Sequence, residues 1–435
     1  MDDEVPDKVS AKMVRAYWKL AAASAGCALH LVPISVATQL TLYPGLIELK
    51  NYNARCDGST NDRDAFAAGI EDYNRAMARG RLAVLRVPAG QCVIDGTTLP
   101  SFAPGVGGAV VGEGNWKSVI RLGQHYSGDL FSWSDSWGGR YERRVGHGNI
   151  ANPQIYGARL SDLTIIGDRS STKLQNAIMM YDHEDFVTIS DIDVQDINGR
   201  VFYGGGKKYG PVSYLRESLI TRMRIWNSGS QDAPVFEITS ECSEQDCSKE
   251  DSSNEVILEN INIYGSHGTG MVIRNYQSAS GGVLRDISLS HVRIEGTEGN
   301  PHSTAADEMV IGDPTTDGRI RNVKCSDCEL ISPYTGYVSL RITGRSPVAA
   351  PHNVFWQGVI IAGAGGGGGV SIDAAQKVEL DLRELSSRQV NLSVRGREGV
   401  RGPIRITGHG EAKFWSWKID PTARPFIRIL DPGDE

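Results

Sequence analysis

The sequence is poor in aromatic residues, 7% of 435, and it lacks any basic excess: 45 Lys and Arg stand against 52 Asp and Glu, for a net charge of −7. A phosphate backbone calls for a basic footprint, so the charge argues against nucleic acid as a partner. An acidic polymer would need locally clustered Arg or Lys to overcome the overall field. The apolar run Leu20 to Val32 is too short to cross a membrane comfortably. Cysteine is scarce, with 7 residues, whereas glycine is abundant, with 50. A chain rich in Gly and β-branched residues suggests many short strands joined by turns.

Residues 1–37 read as a signal peptide on an acidic leader. Lys12, Arg15 and Lys19 form a basic patch before the apolar run, Pro33 breaks that run, and Ser35-Val36-Ala37 is a small-residue cleavage site. A buried N-terminal helix is the alternative. Cleavage after Ala37 removes Cys27 and leaves Cys56, Cys92, Cys242, Cys247, Cys325 and Cys328. An even number in an exported chain suggests disulfides, and local pairing would join 56–92, 242–247 and 325–328, one connectivity among several. Zinc is the competing use of the last four, at spacings that fit it poorly. The expected location is secreted or periplasmic, with no membrane partner after signal removal. A homo-oligomer is among the options.

Residues 38–100 form an opening block. Ala65, Phe66, Ile70, Tyr73 and Met77 recur at helical spacing and predict a helix over 63–78, with an N-cap at Asp62 and a stop at Gly80. The order Ala54-x-Cys56-Asp57-Gly58-x-x-Asn61-Asp62, helix, Val87-Pro88-Ala89-Gly90, then Gly112-Glu113-Gly114 before Ser118-Val119-Ile120 resembles the pectate-lyase-like right-handed parallel β-helix superfamily. That resemblance implies a cap on the first coil and a carbohydrate substrate, but it fixes no reaction. Gly112-x-Gly114 is not a dinucleotide loop, because a strand rather than a helix follows it.

From about residue 155 an alternating strand, a Gly or Asn turn and a second apolar strand recur, as in a solenoid. First strands include Leu163–Ile166 and Ile192–Val194; second strands include Ala177–Met180, Pro234–Phe236, Gly270–Ile273 and Glu308–Ile311. The expected fold is all-β: a right-handed parallel β-helix over 101–376 behind a capping helix, with C-terminal coils and a cap over 377–435.

Equivalent positions of successive coils stack about 4.8 Å apart, so a site can be assembled from distant residues. The turn before each second strand gives a column of Asn198, Asp232, His267, then Asp307 with Glu308. It faintly resembles the motif column of polygalacturonases, although two expected carboxylates and the Arg-Ile-Lys motif are missing. A hydrolase needs one carboxylic acid and one carboxylate, which Asp232 with Glu237 or Asp307 with Glu308 could supply. These are equally the residues of solvated turns. Arg274 and Arg341, at second-strand ends, could grip a sugar carboxylate, with His267 or Tyr276 as the base of a lyase. Trp133 and Trp137 in one insertion, and Lys207 and Tyr209 in another, have side chains suited to sugar faces; packing is the other use of the Trp pair. Asp182-His183-Glu184-Asp185 could hold Ca²⁺ through oxygens, but adjacent side chains point apart, and a solvated loop is the plainer expectation. No other cofactor is expected. The readings are therefore a polysaccharide hydrolase, a uronate lyase, or a glycan-binding β-helix without catalysis.

Overall fold

The computed structural model describes residues 45–79, 81–103, 108–134, 158–208, 212–242, 252–278, 281–296, 307–332, 337–363, 369–386, 391–395, 402–408 and 416–430. The chain divides into residues 1–43 and 44–435. The signal-peptide expectation, the Gly80 stop, Trp137, Tyr209 and the Cys242–Cys247 pairing lie outside what is described.

Two sheets build a right-handed parallel β-helix. Among the described residues one is broad, with 21 strands, and the other narrow, with 10. The broad sheet is bent because single residues in the left-handed backbone region interrupt its strands while pairing continues on either side. One corner column is Asp162, Asp191, Arg222, Asn260, His291, Asp327 and Gly358, with φ between 52 and 66°. A second is Phe186, Glu217, Glu255, Asp286, Asn322 and Asn353. Positive φ crowds Cβ against the backbone, and Asn, Asp and Gly tolerate it best. Where Asx residues follow one another they also bond along the axis: Asn322 donates to Asp286 at 2.8 Å, and Asn353 to Asn322 at 2.7 Å. Segments that read in sequence as separate strands, such as 187–189 and 192–194, are thus two arms of one strand, Thr188–Gln195, bent at Asp191.

The second strands of the sequence repeat become the narrow sheet. Phe131, Ile178, Phe202, Phe236, Met271, Met309, Leu340, Val370 and Leu392 stand in register and fill the interior. Phe202 and Phe236 stack at 4.5 Å between ring centroids. Each such side chain contributes roughly 1.5–3 kcal/mol by leaving water. Strands continue in both sheets through Lys377–Ser386, Asn391–Val394, Ile404–Gly408, Ser416–Ile419 and Ile427–Leu430.

The helix Arg63–Ala78 closes the N-terminal end with its apolar stripe of Ala65, Phe66, Ile70, Tyr73 and Met77 buried. Asp62 flanks it but makes no cap bond from its side chain. Its carboxylate accepts the Arg55 and Cys56 N–H groups at 2.7 and 3.1 Å, holding the loop that carries Cys56. Disulfides join Cys56 to Cys92 and Cys325 to Cys328.

Candidate functional site

The side chain that follows each interior residue of the narrow sheet points outward. In register these are Ser132, Met179, Tyr203, Glu237, Val272, Val310, Arg341, Ser371 and Ser393. Polar and aromatic groups gather around the first coils of this column. Glu237 is fully buried, and its carboxylate accepts from Arg200 Nε at 3.1 Å and Arg274 Nε at 2.6 Å. The Arg200 guanidinium lies 4.7 Å from the Tyr203 ring centroid and that of Arg274 4.6 Å from Tyr276. The Tyr203 hydroxyl donates to Glu241 at 2.5 Å. Tyr181 meets Tyr203 edge to face at 5.9 Å and donates its hydroxyl to Asp129 at 3.1 Å. Asp129 also accepts from Asn176 at 2.9 Å and from the Lys208 ammonium at 3.2 Å. Lys208 covers the Tyr181 ring at 4.6 Å.

Two carboxylates of this cluster stand in opposite settings. Burial raises the Glu241 pKa above its ordinary value, and the charge of Glu237 adds to the rise, against the Tyr203 hydrogen bond. Asp129 faces an ammonium instead. Burial also pushes the hydroxyls of Tyr181, Tyr203 and Tyr276 upward, so all three are hydrogen-bond donors rather than bases. The Tyr203 ring is fixed by backbone as well: a Cβ on Gly206 would come within 1.8 Å of it. That close approach explains a glycine after the bulge between Gly204 and Gly206.

Of the residues expected from sequence, Glu237, Arg274 and Tyr276 meet here, and the Tyr276 hydroxyl lies 3.5 Å from Glu237. Lys207 is exposed at the rim, and its main-chain N–H bonds Glu241. The turn column assembles only in part. Counting back from the paired Phe236, Met271 and Met309, Asp232 and His267 stand four residues before the strand and Asp307 only two. Asp232 is an exposed turn residue. His267 is buried, its Nε2 bonded to Asn227, and burial with the Arg169 charge pushes its pKa down to about 4. Glu308 turns inward and is buried, and burial raises its pKa well above the ordinary value; Ser266 bonds it at 3.3 Å. Asp307 turns outward and is held by Arg341. An interior carboxyl and an exterior one cannot share a substrate, so the Asp307–Glu308 pair is set aside.

Arg274 and Arg341 already hold protein carboxylates, the latter both Asp307 and Asp373. Neither is an unoccupied fork. Trp133 is fully buried and stacks on Phe102 at 4.7 Å, so no sugar reaches it; the aromatic packing that closes the N-terminal end claims it. The 182–185 carboxylates disperse: Asp182 accepts the Lys208 N–H at 3.0 Å, Asp185 pairs with Arg216, and Glu184 is buried. Cys56, Asp62 and Cys92 lie together, but both sulfurs are used by the disulfide. Sequence reasoning missed Asp129, Tyr181, Arg200, Tyr203 and Glu241. Tyr203, one residue after Phe202, was accessible from alternation alone.

No protein-family model matches the sequence, and no curated protein matches it. The fold is shared with solved structures at low identity. ORF18 of Geobacillus virus E2 is 11% identical with a TM-score of 0.53, over 89% of this chain and 62% of that one, so the chain spans less than two thirds of that protein. The A-module of the Azotobacter vinelandii mannuronan C-5 epimerase AlgE4 is 12% identical with a TM-score of 0.42, over 88% and 96%. Tailspike protein 3 of bacteriophage CBA120 is 12% identical with a TM-score of 0.36, over 99% and 69%.

Proposed function

We propose that this protein is a carbohydrate-active enzyme that cleaves glycosidic bonds in a polysaccharide lying along the outer face of the narrow sheet. One observation carries the reading: Glu241 and Asp129 flank the Tyr181–Tyr203 pair in opposite electrostatic settings. A carboxyl group whose pKa burial raises suits a general acid, and a carboxylate facing an ammonium suits a base. Glu241, whose pKa burial raises, gives its proton to the glycosidic oxygen. Asp129 accepts a proton from the water whose oxygen bonds to the anomeric carbon. Glu237 is a positioning residue: it holds Arg200 and Arg274, and its charge adds to the rise that burial gives the Glu241 pKa. The disulfides Cys56–Cys92 and Cys325–Cys328 support an oxidising, extracytoplasmic setting. Among the described residues no helix is long and apolar enough to cross a membrane.

The test is a polysaccharide panel scored for reducing ends and for the absorbance of unsaturated uronides. Reducing ends alone support hydrolysis, both signals mean a lyase, and binding without either means a module without catalysis. Glu241→Gln should lower kcat by roughly 10²–10⁴-fold and remove the alkaline limb of the pH profile. Asp129→Asn should also lower kcat. Full activity in Glu241→Gln would overturn the assignment.

A further inference from the structure

The outer face of the narrow sheet is rich in charge, yet most of its charges among the described residues are matched within the protein. Asp129 answers Lys208, Glu237 and Asp313 answer Arg200 and Arg274, and Asp307 and Asp373 answer Arg341 and Arg395. Glu237 is buried between its two guanidinium groups. A sugar carboxylate entering here would meet cations whose counter-charge is fixed in place, and it would itself lie against a buried carboxylate of like sign. Such crowding costs more than the remaining N–H groups return. Lys207 adds an exposed ammonium at the rim, a flexible point charge rather than a planar fork.

The same pairing prepares the aromatic rings for uncharged sugars. Each of Tyr181, Tyr203 and Tyr276 has a cation on one face. Tyr203 is buried, whereas Tyr181 and Tyr276 are half-buried and are the rings of this face nearer to solvent. We infer that the polysaccharide taken by this face is neutral, not a polyuronate. The inference rests on the proposed carbohydrate site and narrows its substrate class.

The experiment measures affinity of the whole protein for neutral glucans and galactomannans and for polygalacturonate and alginate, at about 50 and about 500 mM NaCl. Exposed charge pairs are largely screened at the higher salt. The expected result is binding to a neutral member that changes less than about twofold with salt, and no comparable retention by the polyuronates. Glu237→Gln removes the counter-charge of Arg200 and one of the two carboxylates facing Arg274, and should raise polyuronate affinity by roughly tenfold, in a salt-sensitive way. Should that variant not fold, the salt series on the parent decides alone. Parent binding confined to polyuronates and lost in salt would overturn the neutral-substrate inference while leaving the carbohydrate site standing. Binding to no member would overturn the site itself.

Discussion

Asp307 and Glu308 are adjacent in sequence and lie on opposite sides of a sheet, one paired with Arg341 outside and the other enclosed with Ser266. The inner carboxyl has a consequence for stability. Its pKa is raised in the fold, so the unfolded chain releases this proton at a lower pH than the folded chain does. Stability from Glu308 is therefore complete below the ordinary glutamate value of about 4.3, and it is lost as pH rises through the raised one. Glu308→Gln keeps the shape and cannot ionise. Thermal melts should show it more stable than the parent at about pH 8 and equal to it near pH 4. A variant weaker than the parent at both would mean that the native carboxylate is charged and paired. The sequence showed both acids but not their sides, because that depends on the register of the strand that follows.

The bends of the broad sheet act at the scale of the element. Each rests on one residue at positive φ, and several of these are not the residues that conformation favours: Phe186, Glu217, Arg222 and Glu255. Such corners hold because the ladders on both sides over-determine them. Asn322 has both advantages, tolerance of φ 55° and bonds to Asp286 and Asn353. Asn322→Val should cost about 2 kcal/mol or more in chemical denaturation, from left-handed strain and lost hydrogen bonds. A loss below about 0.5 kcal/mol, ordinary for a surface change, would show that the corner column does not hold the bend. Alternating apolar residues revealed the strands, but the unity of arms such as 187–189 and 192–194 was hidden, since a one-residue corner looks like a turn between strands.

In the whole molecule each coil packs mainly on its neighbours, so stability is approximately a sum along one dimension. The N-terminal end is closed by a helix and a disulfide. At the other end Ile419, Ile427 and Ile429 are only partly buried and, with Lys418 and Arg424, line an open cleft of about 520 Å³. Native-state hydrogen exchange should be slowest in the central strands, such as Leu219–Trp226 and Asn254–Ser266, and fastest in Ser416–Ile419 and Ile427–Leu430. Uniform protection along the axis would mean that the C-terminal coil is covered by something else.

The class of fold, the capping helix and the alternation that sorts interior from exterior can be read from the chain alone, because each is local: a period, a spacing, an apolar stripe. It also made Glu237, Arg274 and Tyr276 visible as candidates. The tertiary structure decided which residues share a face. Asp129, Tyr181, Lys208, Tyr203 and Glu241 come from different strands and loops of successive coils, and only the pairing register brings them together. A displacement of two residues, as between His267 and Asp307, is invisible in spacing because the loops between coils differ in length. In a stacked ladder, that displacement places one group inside the turn and the other on the open face.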